Sequence, residues 1–313
     1  MTDRPRVAAV DCGTNSIRLL VAESDGAGGL VDLDRQTTIV RLGQGVDATG
    51  EFRPDALART FAATDRYAEL IRAAGVPRGG VRFVATSASR DAANREEFFA
   101  GIESRLGVRP DIISGDTEAL LSFTGALSRS RPGSEPVLVM DIGGGSTELI
   151  VGSAAGALES AISLDIGSVR LTERFLKTSP PAAADLAAAA AHVDSLLDGS
   201  GVDFAGVGSW IGVAGTATTL AGVYLGLETY DRERVHGARL PHAELDAMLG
   251  RLSAMTVAEI RALPSMHPGR ADVVTAGTLI AARVAARLSV PELIVSESDI
   301  LDGIALGLLT DQH

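Results

Sequence analysis

Cysteine is nearly absent from this chain of 313 residues: Cys12 is the single one. One thiol excludes an internal disulfide framework and a cysteine-built zinc site. Lysine is as scarce. Lys177 is the only one among 28 basic residues, the rest being Arg, so no Gly-Lys-Ser/Thr phosphate loop can form. No apolar run is long enough to span a bilayer; the Ala-rich stretch 182–193 is interrupted by Asp185 and His192 and reads as a helix. No apolar segment of signal-peptide type follows Met1–Arg6, because Asp11 interrupts it, and a cytoplasmic setting is expected. Positive charge is short as well. The net charge of −12 argues against non-specific nucleic-acid or membrane binding, while a locally positive cleft could still take a polyanion. The five histidines show no metal-ligand spacing.

Glycine and apolar residues are plentiful, and one stretch organises them: Asp141-Ile142-Gly143-Gly144-Gly145-Ser146-Thr147-Glu148-Leu149-Ile150-Val151. An apolar strand leads into a glycine turn and a second strand leaves it. A turn without Cβ atoms lets an anion reach bare N–H groups, with Ser146 and Thr147 adding hydroxyls. Asp141 and Glu148 bracket the turn as carboxylates beside a Mg²⁺–phosphate site do. Read alone, the stretch fits equally a tight hairpin with surface acids. It has a counterpart, Asp11-Cys12-Gly13-Thr14-Asn15-Ser16-Ile17-Arg18-Leu19-Leu20-Val21. Both obey Asp-x-Gly-x-x-Ser-x-x-Leu-x-Val after an apolar strand, so the repeat predicts two similar domains. Cys12, inside the first loop, reads as packing.

The length suits two domains and the hydrophobic content of 46% suits full cores. The polar, Pro/Gly-rich run Ser128–Pro136 marks the boundary, giving domains 1–128 and 129–313. Strands are expected at 7–11, 17–22, 30–41, 81–85 and 109–113, then at 158–164, 210–214 and 293–295 beside the central hairpin. Helices are expected from Pro54 to Gly75, up to Leu106, at 119–127, 171–176, 180–197, 245–252, 257–263, 271–288 and 300–309. Thr86-Ser87-Ala88-Ser89-Arg90-Asp91 follows a strand, where ligands gather in alternating α/β folds; Arg90 could pair with phosphate there or be a solvated side chain. Glu118, in a first helical turn, reads on pattern alone as a capping and macrodipole residue. Gly215–Leu220 reads as a glycine/threonine turn, either anion-binding or a plain strand-to-helix connection.

Two hairpin-led α/β domains resemble the duplicated ribonuclease-H-like domains of the actin, Hsp70 and sugar-kinase superfamily, with an interdomain cleft. Within it the motifs resemble the exopolyphosphatase/guanosine pentaphosphate phosphohydrolase (Ppx/GppA) family. The resemblance rests on 11–20, 85–94, 113–126, 141–150, 213–220, 270–280 and 295–305, and the length resembles the short, two-domain members. It implies that Glu118, in the Ile113–Ala119 segment, is the base that activates water, Thr117 standing where an alternative Glu often does. It implies that Asp141 and Glu148, with Asp11, attend Mg²⁺ or Mn²⁺. Gly13, Thr14, Asn15 and Ser16 match the first phosphate loop, Gly143, Gly144, Gly145, Ser146 and Thr147 the second, and Arg90 an arginine near the phosphates.

The implied reaction is release of terminal orthophosphate from inorganic polyphosphate, with short chains expected to be preferred; a chain substrate needs several basic contacts in a row, for which Arg90, Arg170 and Arg270 are candidates. Hydrolysis of guanosine pentaphosphate is the alternative. A weakly catalytic binder of guanosine tetra- or pentaphosphate is a third reading, opposed by intact Glu118, Asp141 and Glu148. An actin-like ATPase or sugar kinase is opposed by the Ile113–Ala119 segment. A homodimer is implied by the resemblance alone.

Overall fold

The computed structural model describes residues 4–86, 89 and 92–310. Its strands are β1 (Arg6–Cys12), β2 (Ser16–Ser24), β3 (Leu30–Ile39), β4 (Val81–Ala85), β5 (Asp111–Ile112), β6 (Val137–Ile142), β7 (Thr147–Gly152), β8 (Leu158–Leu164), β9 (Ser209–Val213), β10 (Arg239–Pro241) and β11 (Glu292–Val295). Its helices are α1 (Val46–Thr49), α2 (Pro54–Ala73), α3 (Arg95–Leu106), α4 (Gly115–Arg129), α5 (Ser168–Phe175), α6 (Ala183–Asp198), α7 (Ala214–Tyr224), α8 (Arg232–Val235), α9 (His242–Ser253), α10 (Val257–Arg261), α11 (Val274–Ala285) and α12 (Ile300–Thr310). No helix among the described residues is long and apolar enough to cross a membrane.

Two compact units result: Met1–Ser128 with Asp299–His313, and Arg129–Ser298. The break near Ser128 is where the polar linker was expected. The final helix differs. The division at 128/129 gave 299–313 to the second domain, but α12 belongs to the first unit. The reason is its apolar face: Ile300, Leu301, Ile304, Ala305 and Leu309 cluster with Val7, Ala9, Leu20 and Ala22 of β1 and β2.

In the first unit β1, β2 and β3 form an antiparallel meander, and β4 and β5 add in parallel, giving the order β3-β2-β1-β4-β5. Alternate side chains of β1 face opposite ways. Val7 and Ala9 meet α12, while Ala8, Val10 and Cys12 join Leu57, Tyr67 and Ile71 of α2 and Phe98 and Ile102 of α3. Both faces of β1 are therefore covered, which is why it reads as a continuous apolar run. Tyr67 is core, as its place in the helical stripe predicted, and its hydroxyl donates to Ile17 O at 3.0 Å.

Helices α4 and α12 cross at Gly125 and Gly303. A Cβ on Gly303 would stand 2.0 Å from Leu121 O, and one on Gly125 1.7 Å from Asp299 O. Neither backbone neighbour can step aside. Gly303→Ala is expected to cost about 1–3 kcal/mol by overpacking, measured as a lower urea midpoint; an unchanged midpoint would reject the crossing.

The second unit repeats the plan. β6, β7 and β8 form the meander, β9 and β11 add in parallel, and the short antiparallel β10 closes the edge. Helix α11 is buried along nearly its whole length and packs against α5, α6, α7 and α9. The two units thus share one α/β plan, as the internal repeat predicted, and it is the ribonuclease-H-like arrangement that the resemblance implied.

Candidate active site

The two repeat copies fold identically at the turn. Gly13 N donates to Ser16 O at 3.0 Å, and Gly143 N donates to Ser146 O at 3.0 Å. In the first loop the carbonyls are drawn to the segment after β3. Thr14 O accepts from Gly43 N at 2.8 Å, and Asn15 O from Val40 N and Arg41 N at 3.0 and 2.9 Å. In the second loop Gly143 O accepts from Ser168 N at 2.9 Å, and Gly144 O from Val169 N and Arg170 N at 2.9 and 3.0 Å. These donors are the first N–H groups of α5, so the loop caps the helix and uses up its N-terminal donors. A trans peptide holds its C=O and N–H on opposite sides. Carbonyls turned inward therefore aim the following N–H groups away, which is the arrangement an anion-binding nest needs. Gly167 permits the fit: a Cβ there would lie 2.4 Å from Gly144 C and O.

The loop positions are not equivalent. Thr14, Asn15 and Ser146 are buried at the turns, and Gly13, Ser16, Gly143 and Gly144 are half-buried. Thr147 needs correction as a phosphate donor. It is fully buried in β7, and its hydroxyl donates to Ile166 O at 2.6 Å. It braces the hairpin.

The acids are not on the surface. Asp141 and Glu148 are buried, and the ladder sets them directly opposite one another on β6 and β7, with Ser163 of β8 next in the row. Ser163 Oγ donates to Glu148 Oε1 at 2.7 Å. Directly opposed residues share a sheet face with Cβ atoms about 5 Å apart. In the first unit the corresponding row is Asp11, Arg18 and Thr37. Arg18 Nε and Nη2 both donate to Asp11 Oδ2, at 3.0 and 2.6 Å. Asp11 Oδ1 is buried with no hydrogen-bond partner among the described residues. Burial pushes the Asp11 carboxyl above the usual range, with Arg18 opposing and Asp299 adding to the rise. Burial and Asp11 push the Cys12 thiol well up, as befits a packing residue.

Glu118 lies in the first turn of α4. The capping role expected there falls to Ser114, whose Oγ accepts from Thr117 N at 3.2 Å. The exposed first-turn acid is Asp116, while Glu118 is only 7% exposed. A buried carboxylate in a turn that Ser114 caps is a candidate base. Arg90 and its neighbour Ser87 lie outside the described residues. Thr86 is buried, its N–H donating to Cys12 O at 3.2 Å. Arg170 pairs with Asp165 at 3.3 Å. The Gly215–Leu220 segment is not a turn but the opening of α7, with Thr216 Oγ1 donating to Ile142 O at 2.9 Å. The Arg270 guanidinium lies against Gly215, where a Cβ would come within 1.8 Å of it.

Sequence reasoning assigned no role to Arg18, nor any to its pairing with Asp299. The signal for Arg18 was in the repeat, which sets it at the position of Glu148.

For a divalent cation the donor chemistry of the second unit fits. Mg²⁺ takes one or two carboxylates and completes its shell with phosphate oxygens and water. Asp141 and Glu148 supply such a pair, and two like charges buried face to face are costly without a cation. Among the described residues no group of three or more His, Cys, Asp or Glu could hold a metal alone. In the first unit, one oxygen of Asp11 is held by Arg18.

Comparison with known proteins identifies the family. The chain is 44% identical to Exopolyphosphatase 2 of Mycobacterium tuberculosis over 317 residues, covering 97% of this chain and 98% of the relative. It superposes on the crystal structure of an exopolyphosphatase-like protein with a TM-score of 0.91 at 41% identity, covering 98% of each chain. An exopolyphosphatase from Cytophaga hutchinsonii matches with a TM-score of 0.89 at 25% identity, again over 98% of each. Residues 20–312 match the Ppx/GppA phosphatase family as a whole. The chain belongs to the Ppx/GppA phosphatase family.

Proposed function

We propose that this protein is an exopolyphosphatase, removing terminal orthophosphate from inorganic polyphosphate, with short chains preferred. The observation that carries the reading is the duplicated loop with its carboxylates, Asp141 facing Glu148 across one ladder and Asp11 at the same place in the other copy. The relatives named exopolyphosphatase at 44% and 25% identity support it. Mg²⁺, or Mn²⁺, held by Asp141 and Glu148 with Asp11 contributing, would neutralise charge on the transferred phosphoryl group. Gly13–Ser16 and Gly143–Ser146 bind phosphate oxygens through N–H groups and hydroxyls, and Arg90 adds a cation. Glu118 accepts a proton from water as its oxygen bonds to the terminal phosphorus. The bridging P–O bond breaks, and the shortened chain leaves with its electron pair. Positioning and charge stabilisation do most of this work.

A cytoplasmic setting and a homodimer belong to the same proposal and rest on family membership; the net charge of −12 supports a protein that binds neither nucleic acid nor membrane. The test is orthophosphate release with Mg²⁺, run in parallel on short polyphosphate, long polyphosphate and guanosine pentaphosphate. Release from polyphosphate, faster on short chains, is expected. Release from guanosine pentaphosphate alone would replace the substrate. No release from any, with guanosine tetraphosphate still binding, would make the protein a sensor.

A further inference from the structure

The repeat is broken at one chemically telling place. Where the second unit sets Glu148 opposite its loop acid, the first unit sets Arg18. That guanidinium grips the carboxylates of Asp11 and Asp299. Nε and Nη2 hold Asp11 Oδ2, and Nη1 holds Asp299 Oδ2. The three side chains are 12%, 7% and 7% exposed, respectively for Arg18, Asp11 and Asp299. Asp299 is itself fixed. Its Oδ1 accepts from Leu301 N and its N–H donates to Asp302 Oδ2, both at 3.0 Å. Asp302 is fully buried and receives Arg35 Nη2 on both oxygens at 2.9 Å. Arg35 also meets Asp32 at 3.1 Å.

We propose that Asp299 is a positioning residue for the reaction, acting through Arg18 to fix the Asp11 carboxylate at the base of the first phosphate loop. Asp11 has only one anchored oxygen, so its carboxylate plane is set by the guanidinium that grips it. The Nη1 end of that guanidinium is gripped by the Asp299 carboxylate, opposite the edge that holds Asp11. Asp299 supplies the second hold, and the crossing of α12 over α4 keeps Asp299 in place. In this way the segment returning from the second unit determines where Asp11 Oδ1 points. A displacement of about 1 Å in such a group can lower turnover by about 10²-fold. The catalytic consequence rests on the function proposed above, whereas the coupling of Asp299 to Arg18 does not.

The experiment has two readouts on the full chain. The first is solvent exchange of the Arg18 Nε–H by NMR, the resonance being assigned by its loss in Arg18→Lys. It is expected to be protected in the native protein and to exchange at least about tenfold faster in Asp299→Asn. The second is steady-state phosphate release. Asp299→Asn is expected to lower kcat by about 10- to 100-fold with KM within about twofold. In an Asp11→Asn background the same change is expected to do nothing further, because its effect passes through Asp11. Arg35 also reaches Asp299, Nη1 to Oδ1 at 4.0 Å, but Asp32→Asn removes only the Asp32 carboxylate from Arg35 and leaves the Arg18–Asp299 pair in place; it is expected to keep both kcat and Arg18 protection while lowering thermal stability. If Asp299→Asn does not fold, Asp299→Glu carries the same readouts. Unchanged Arg18 protection, native kcat in a folded Asp299 variant, or additive losses with Asp11→Asn would each overturn the proposal. A native protein inactive on every phosphate tested refutes the substrate reading instead, and Arg18 protection then decides this one.

Discussion

Glu118→Gln is expected to lower kcat for phosphate release by about 10²–10⁴-fold, the range spanned by loss of a general base, with KM nearly unchanged. Gln has the shape of Glu and keeps an acceptor oxygen, but it cannot take a proton at neutral pH. The substitution is mild for the fold because Ser114, not Glu118, caps α4. The side chain is buried, and replacing a buried charge by a neutral isostere does not open a cavity. The thermal midpoint is therefore expected to stay within a few degrees. Three measurements decide the matter: kcat, KM and the melting temperature of one preparation. Native kcat in the variant removes Glu118 from the mechanism. A loss of kcat accompanied by an equal loss of folded protein would assign Glu118 to structure.

Asp141→Asn is expected to separate stability from activity in opposite directions. In the metal-free protein Asp141 and Glu148 face each other across the β6–β7 ladder, both buried. Removing one of two like charges relieves their mutual repulsion and offsets the contacts that Asp141 gives up, so in a chelator the variant is expected to melt at or above the native temperature. A gain of about 1 kcal/mol would move the midpoint by about 2–4 °C in a domain of this size. With Mg²⁺ the order reverses. The native protein is expected to gain stability by mass action on binding the cation, and the variant to gain little. Activity is expected to fall by about 10²-fold or more, since on the proposed mechanism the cation would carry much of the transition-state charge. Calorimetric melts with chelator and with Mg²⁺, alongside turnover, check this. A variant equally stabilised by Mg²⁺ would take Asp141 out of the metal site.

The parts of this molecule legible in the sequence are those whose cause is local. Val7–Val10 and Val137–Met140 read as buried strands because both faces of β1 and β6 are covered. The five shared positions of the repeat fixed the two turns, and the structure sets the same Gly-to-Ser hydrogen bond in each. The Gly215–Leu220 segment misled because glycine and threonine are common in turns, whereas here Thr216 and Thr219 spend their hydroxyls on carbonyls within and beside a helix. The three-residue β10, ending in Pro241, is too short to carry a period. Thr147 shows a limit of motif reading: a hydroxyl beside a phosphate loop serves the backbone of Ile166. Arg35 and Asp302 are 267 residues apart, and no spacing connects them. Asp302 still held a clue, because an acid inside so apolar a final helix requires a cation somewhere.

The return of α12 to the first sheet has a consequence for how the molecule is made. Ribosomes extend a chain by about 5–20 residues per second. The strands of the first unit therefore emerge early, and all of Arg129–Ser298 is synthesised before Asp299 appears. For an interval on the order of ten seconds, the face of Val7, Ala9, Leu20 and Ala22 has no helix to cover it. The second unit, contiguous in sequence, suffers no such wait. The half of the protein translated first is thus the half completed last, and until then its bare sheet is a natural client for chaperones that bind nascent apolar surface.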